Sequence, residues 1–168
     1  MNNSVREMCE YGTEILLRAG IDNARNEAAE MCMSALKIDR TALLLYPDRP
    51  VSAEQNELFS SMLSRRISGE PLQYVLGEWS FFGRRFSVGE GVLIPRPETE
   101  QLVDICIGKI KQSGAKFVFD LCAGSGCIGI TVAAECPDTE VYLFELYDGA
   151  FEYLKKTPPH TKTPKHIL

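Results

Sequence analysis

The chain has 168 residues, 45% of them hydrophobic and 24% charged, with a formal net charge of −5 and a pI near 5.1. That length holds one ordinary domain or two small ones, and the composition is that of a globular rather than a disordered chain. The acidic balance argues against a nucleic-acid groove as the main surface, and no apolar run approaches the roughly 18 residues of a membrane span.

Residues 1–70 are expected to form a helical bundle. Val5, Met8, Cys9, Gly12, Ile15, Leu16 and Ala19 mark one helix face, which Gly20 ends. Asp22 or Asn23 can cap a second helix whose inner face carries Ala28, Met31, Cys32, Ala35 and Leu36. Thr41 to Tyr46 reads as a short apolar turn stopped by Pro47. Ser52 and Gln55 have the spacing of a capping box, opening a long helix with Leu58, Phe59, Met62, Leu63 and Ile67 inward, closed by Gly69 and Pro71.

Residues 71–94 read as a β-hairpin linker. Leu72, Tyr74 and Leu76 alternate, Gly77 breaks the run, and Trp79, Phe81, Phe82, Phe86 and Val88 follow around Gly83. Over 95–156, Pro95 and Pro97 introduce a helix through Leu102, Val103, Ile105, Cys106 and Ile110, ending near Gly114. Strand 117–120, helix 126–135, strand 140–145 and a helix near 149–156 follow, the alternation of a parallel, doubly wound sheet. Residues 157–168, T-P-P-H-T-K-T-P-K-H-I-L, read as an irregular tail where a third strand would begin, so the second domain is expected to be incomplete.

The six cysteines Cys9, Cys32, Cys106, Cys122, Cys127 and Cys136 form no C-x-x-C pair, and most sit at apolar positions as small hydrophobes. With no signal peptide at Met1-Asn2-Asn3-Ser4, a cytoplasmic location is expected. His160 and His166 lie in a polar stretch without thiols or carboxylates nearby, so no metal is expected. The basic pairs Arg65-Arg66 and Arg84-Arg85 read as solvated faces.

The segment F-V-F-D-L-C-A-G-S-G-C-I-G at Phe117–Gly129 concentrates the chemistry. A strand closed by Asp120, a glycine turn and a helix start at Cys127 let backbone approach a ligand, with free N–H groups of the helix start expected to point at it. Glu145, nineteen residues past Gly126 at the tip of the next strand, is placed to accept hydrogen bonds from ribose hydroxyls. An acidic residue at Asp120 suits no pyrophosphate, but it can hold the charged amino-acid end of S-adenosylmethionine, directly or through water. A methyl donor is therefore favoured over a nicotinamide dinucleotide.

D-L-C-A-G-S-G-C-I-G-I resembles the first motif of class I S-adenosylmethionine-dependent methyltransferases. G-E-P-L-Q-Y-V-L-G at Gly69–Gly77, F-F-G-R-R-F at Phe81–Phe86 and V-L-I-P-R-P-E-T-E at Val92–Glu100 are similar to the protein-(glutamine-N5) methyltransferases that modify peptide chain release factors, the HemK/PrmC type. The resemblance covers residues 1 to 156, and Ile94–Glu100 is its specific part. It implies an N-terminal helical domain that recognises the substrate, a β-hairpin linker, and the start of a Rossmann-like methyltransferase domain. By the same resemblance, Cys122, Ala123, Gly124, Ser125 and Gly126 form the S-adenosylmethionine loop and Glu145 binds the ribose. The family usually has Gly where Cys122 stands, and cysteine lacks easy access to positive φ. Arg96 and Glu98 are either a helix start with a surface ion pair or residues that shape the cofactor site.

The activity implied is methyl transfer to the glutamine of a Gly-Gly-Gln loop in a release factor, by a monomer with no direct nucleic-acid contact. The family's N-P-P-Y motif, whose Asn and prolyl carbonyl orient the substrate amide, does not occur in these 168 residues. Thr157-Pro158-Pro159-His160 differs from it at both ends and lies too early in the fold. No catalytic residue is assigned, and this chain alone is expected to be inactive. The alternatives are a non-catalytic remnant or release-factor-binding module, and a methyltransferase acting on a small molecule or nucleic acid.

Overall fold

The computed structural model describes residues 4–157 and the backbone of 166–167. The chain divides into two compact units, Met1–Leu76 and Gly77–Leu168.

Among its described residues the first unit contains five helices, α1 (Val5–Arg18), α2 (Ala24–Leu36), α3 (Arg40–Leu45), α4 (Ala53–Ile67) and α5 (Leu72–Leu76). Local signals set their starts. The Ser4 hydroxyl accepts from the Glu7 N–H at 3.3 Å, and Ser52 and Gln55 cap α4 reciprocally at 3.2 and 2.9 Å, the box expected from their spacing. Asn23 holds the cap position of α2, but its side chain accepts from the Asn26 amide at 2.7 Å instead of from backbone. The apolar stripes of α1, α2 and α4 meet in a core with Met8, Leu16, Met31 and Phe59 fully buried. Gly12 lets α1 approach closely: a Cβ there would lie 2.5 Å from the Phe59 ring and 3.3 Å from the Ala28 Cβ.

Three expectations are corrected in this unit. Leu58 and Ile67 are exposed, because α4 buries only Asn56, Phe59, Met62 and Leu63, and Leu58 sits about 100° around the helix from Phe59. Of the Arg65-Arg66 pair, Arg65 is exposed as expected but Arg66 is not solvated. Arg66 donates at 2.6 Å to Glu27 of α2, both side chains largely covered, while Arg65 pairs with Glu70 and donates to the carbonyls of Tyr74 (3.0 Å) and Val75 (3.2 Å). Those two bonds bear on the third point. Leu72–Leu76 is a helical turn rather than a strand: Tyr74 and Val75 N–H groups donate to the Pro71 carbonyl, Leu72 and Val75 are buried at i, i+3 spacing, and Arg65 satisfies the carbonyls left at its end.

The second unit opens with a hairpin, β1 (Glu78–Phe81) and β2 (Arg84–Ser87), paired antiparallel in the register Glu78↔Ser87 to Phe81↔Arg84. Phe82 and Gly83, both at positive φ, make its two-residue turn. Helix α6 (Pro97–Ser113) follows, with proline in its first turn and Gly114 as a left-handed cap. The chain then runs through β3 (Phe117–Leu121), α7 (Cys127–Glu135), β4 (Glu140–Phe144), α8 (Asp148–Lys156) and β5 (His166–Ile167). Strands β3, β4 and β5 form a parallel sheet in that order, joined by helical crossovers. Most of the irregular tail expected over 157–168, with the Thr157–His160 stretch beyond Thr157, lies outside the described residues; within it Thr157 is buried and His166–Ile167 pair with β4.

One face of this sheet is packed and the other is not. Val141 and Leu143 are buried with Ile130, Val132 and Leu154. On the opposite face Phe117, Phe119 and Leu121 are 59%, 60% and 70% exposed, and Phe119 stacks only on Tyr142 at 5.4 Å and leans on Phe144 at 6.1 Å. Arg84, expected in solvent, donates to Glu135 of α7 at 2.6 Å and ties the hairpin to the sheet's helical layer. Among the described residues no helix is long and apolar enough to cross a membrane.

Candidate functional site

The β3–α7 turn and the tip of β4 come together at the carboxyl ends of the parallel strands, where ligands of open α/β sheets bind. All six residues singled out by sequence, Cys122, Ala123, Gly124, Ser125, Gly126 and Glu145, meet there. The Ala123 N–H donates to the Phe144 carbonyl at 2.9 Å and the Gly126 N–H to the Ala123 carbonyl at 2.8 Å, which folds the loop tightly onto β4. Glu145 lies directly beneath it. One carboxylate oxygen accepts from Gly124 N–H at 2.7 Å and the other from Tyr147 N–H at 2.9 Å. Ser125 and Ala123 are buried, and Cys122 is exposed at the rim.

Asp120 joins this set. Its Oδ2 accepts from the Gly129 N–H in the first turn of α7 at 2.8 Å. Of the helix-start donors, the Gly129 N–H is therefore already taken by the chain's own Asp120. Burial pushes the Cys127 thiol up to about 11. What converges on the loop is a pair of carboxylates, Asp120 and Glu145, close enough for the charge on Glu145 to help raise the Asp120 pKa.

Burial is the larger cause of that rise, opposed by the Gly129 hydrogen bond. A carboxyl whose folded pKa exceeds its unfolded value adds stability below the ordinary value of 3.8, and this is lost as pH rises through the folded pKa. Asp120→Asn keeps an acceptor for Gly129 and removes the charge. It is expected to raise the urea midpoint of the second unit at pH 7 and to flatten its decline as pH rises from acid. A lower midpoint for the Asn variant at pH 7 would show that the ionised form is fully compensated.

Cys122 stands at φ 62, in the left-handed region. A side chain there costs about 1–2 kcal/mol, against about 0.5–1 kcal/mol for the extra freedom of an unfolded glycine. Cys122→Gly is thus expected to stabilise the second unit by about 0.5–1 kcal/mol, read from its urea midpoint; a destabilised variant would mean that the thiol makes a compensating contact.

The P-R-P-E-T-E segment contributes through a residue that sequence reasoning did not single out. Glu100, in the first turn of α6, accepts the Phe82 N–H of the hairpin turn at 2.7 Å and so holds the hairpin against α6. Arg96 and Glu98 are exposed, and among the described residues no ion pair joins them. A shallow cavity of about 290 Å³ lies between the end of α6 and the α7–β4 turn, lined by Ile110, Lys116, Glu135 and Thr139. It is at the wrong end of the strands for a ligand of this sheet type.

The PrmC N-terminal domain family matches residues 7–77. A release factor glutamine methyltransferase of Nitratidesulfovibrio vulgaris is 39% identical over 135 residues, 80% of this chain and 45% of that protein. Proteins of the same name from Thermodesulfovibrio yellowstonii and Bacillus anthracis are 38% and 36% identical, over 76% and 90% of this chain and 46% and 54% of their own lengths. The chain thus spans about half the length of the curated relatives it matches.

Proposed function

This chain is a relative of the release factor glutamine methyltransferases and carries a PrmC N-terminal domain, and we propose that the protein it represents transfers a methyl group from S-adenosylmethionine to the side-chain nitrogen of a release-factor glutamine. The observation that carries the reading is the acceptor-lined glycine loop. Its Gly124 and Gly129 N–H groups are spent on Glu145 and Asp120, whose carboxylates lie beside it. Such a site repels a pyrophosphate and favours a ligand that brings hydroxyl donors and positive charge. The residues therefore fit S-adenosylmethionine, which when bound supplies an electrophilic methyl on a positively charged sulfur.

In this reading Glu145 uses its remaining lone pairs to accept from ribose hydroxyls, held in place by the Gly124 and Tyr147 N–H groups. Asp120 sets a negative potential under the loop that offsets a cationic ligand. Cys122, Ala123, Gly124, Ser125 and Gly126 supply the close backbone approach, and the second unit is the start of a doubly wound, Rossmann-like methyltransferase domain. The N-terminal unit would engage the release factor, and Leu44, Leu45 and Tyr46 give it an exposed apolar surface for a protein partner. The protein acts in the cytoplasm, as a monomer, without direct nucleic-acid contact.

Incubating the intact gene product with methyl-labelled S-adenosylmethionine and a release factor tests the proposal. Label on the glutamine of the Gly-Gly-Gln loop supports it; label on nucleic acid, with none on the release factor, overturns it. A second reading, a release-factor-binding module without catalysis, would be favoured by retained release-factor binding with no transfer of label.

A further inference from the structure

Thr157 caps the end of α8 and opens the T-P-P-H stretch, to which no role has yet been given. It is a polar residue inside the second unit, only 8% exposed. Its hydroxyl oxygen accepts the N–H of Ser87, the last residue of β2, at 3.3 Å. The same hydroxyl lies within donating reach of two carbonyls, that of Tyr153 at 3.2 Å and that of Ser125 at 3.4 Å. The Tyr153 carbonyl already accepts the Thr157 N–H at 3.0 Å, so the bond to Ser125 is the one that reaches outside α8. One side chain thus bridges the hairpin, the end of α8 and the middle of the glycine loop.

The packing around this bridge is close. Leu154, one turn before Thr157, lies against Gly126, where a Cβ would run into its Cδ1. Tyr153 fills the space beside Gly89, where a Cβ would stand 2.5 Å from the ring Cζ. Val92, buried three residues further on, comes within 3.7 Å of the place a Cβ on Gly124 would occupy. The last turn of α8 is therefore wedged between the chain leaving the hairpin and the loop. Glu145 takes the Gly124 N–H, and Thr157 donates to the Ser125 carbonyl. These two bonds bracket the Gly124–Ser125 peptide unit and fix its orientation.

On the reading of that loop as the S-adenosylmethionine site, we propose that Thr157 is a positioning residue for cofactor binding, holding the loop in its binding shape through the Ser87–Thr157–Ser125 bridge. Thr157 touches no reacting atom; it acts through the loop backbone. The position needs a hydroxyl, because it must accept from one peptide and donate to another. Serine can do this, and valine, of the same shape as threonine, cannot. Bridge and ligand are then linked in both directions: what the bridge adds to cofactor affinity, the cofactor adds to the bridge.

Calorimetric titration of the intact gene product with S-adenosylmethionine, beside its Thr157→Val and Thr157→Ser variants, tests this. Thr157→Val should raise the Kd about five- to tenfold, the loss of a buried hydrogen bond, and Thr157→Ser should hold it within about twofold of the unmutated protein. A role confined to stability would lower the urea midpoint of the Val variant and leave its Kd unchanged, and that result overturns the proposal. A Ser variant that binds as weakly as the Val variant overturns it too. On the unmutated protein, where no variant has to fold, saturating cofactor should slow hydrogen exchange at the Ser87 amide, read by NMR; unchanged exchange there breaks the linkage and overturns the proposal independently. Failure of the underlying reading looks different. The unmutated protein would then take up no S-adenosylmethionine and both would fall together, whereas equal affinity in all three proteins leaves the reading intact and removes only Thr157.

Discussion

Gly126→Ala is expected to cost the second unit about 2–5 kcal/mol, the largest single effect among the loop positions. Two terms add. Gly126 has φ 79, and an L side chain in that region costs about 1–2 kcal/mol. A Cβ there would also run into the Leu154 Cδ1 and lie 2.8 Å from Ile130 Cδ1 and 3.2 Å from Leu143 Cδ2, an overpacking worth about 1–3 kcal/mol. Leu154 and Leu143 are fully buried, so they have little room to yield. The chain's single tryptophan, Trp79, lies in β1 of the second unit, so its fluorescence during urea unfolding reports on that unit. An unchanged midpoint would mean that α8 moves away from the loop at little cost. Gly124 provides the control: it too has positive φ, but a Cβ there meets only Val92 Cγ2 at 3.7 Å, so Gly124→Ala should carry the conformational term alone.

The second large effect concerns Glu145. Glu145→Ala removes the acceptor of the Gly124 and Tyr147 N–H groups and, on the proposed reading, the ribose partner. Hydrogen bonds to a charged group are worth about 1.5–3 kcal/mol, which corresponds to a tenfold or greater rise in the Kd for S-adenosylmethionine. Calorimetry on the intact gene product reads the change. Glu145→Gln separates the two roles, since it keeps one side-chain oxygen for the loop and loses the charge. Equal cofactor affinity in all three proteins would remove Glu145 from the site.

The parts of the fold that were legible in sequence are those fixed by neighbours along the chain. The Ser52–Gln55 box, the Gly114 cap and the strand–glycine–helix order around Asp120 are all written within a few residues of one another. What escaped is set across the chain. Arg66 and Glu27 are 39 residues apart and Arg84 and Glu135 are 51 apart, so two guanidinium groups that looked solvated are internal ties. Leu72–Leu76 is too short for its period to separate helix from strand, and the Arg65 bonds to its carbonyls come from the preceding helix. At the glycine loop both the location and the acidic character were readable, from the glycines, Asp120 and Glu145. Only the fold shows which donors those carboxylates already hold: Asp120 takes the Gly129 N–H, and Glu145 the Gly124 and Tyr147 N–H groups.

The bare aromatic face of β3 has a consequence for handling the protein at the bench. Phe117, Phe119 and Leu121, alternating on one side of a parallel strand, form a water-facing stripe of the kind that sheets of this type keep covered. Left open, the stripe should capture a hydrophobic fluorescent dye and drive particles to grow with concentration in light scattering, and Phe119→Lys should reduce both. Colloidal behaviour would then be governed by three side chains that neither cap a helix nor line the glycine loop.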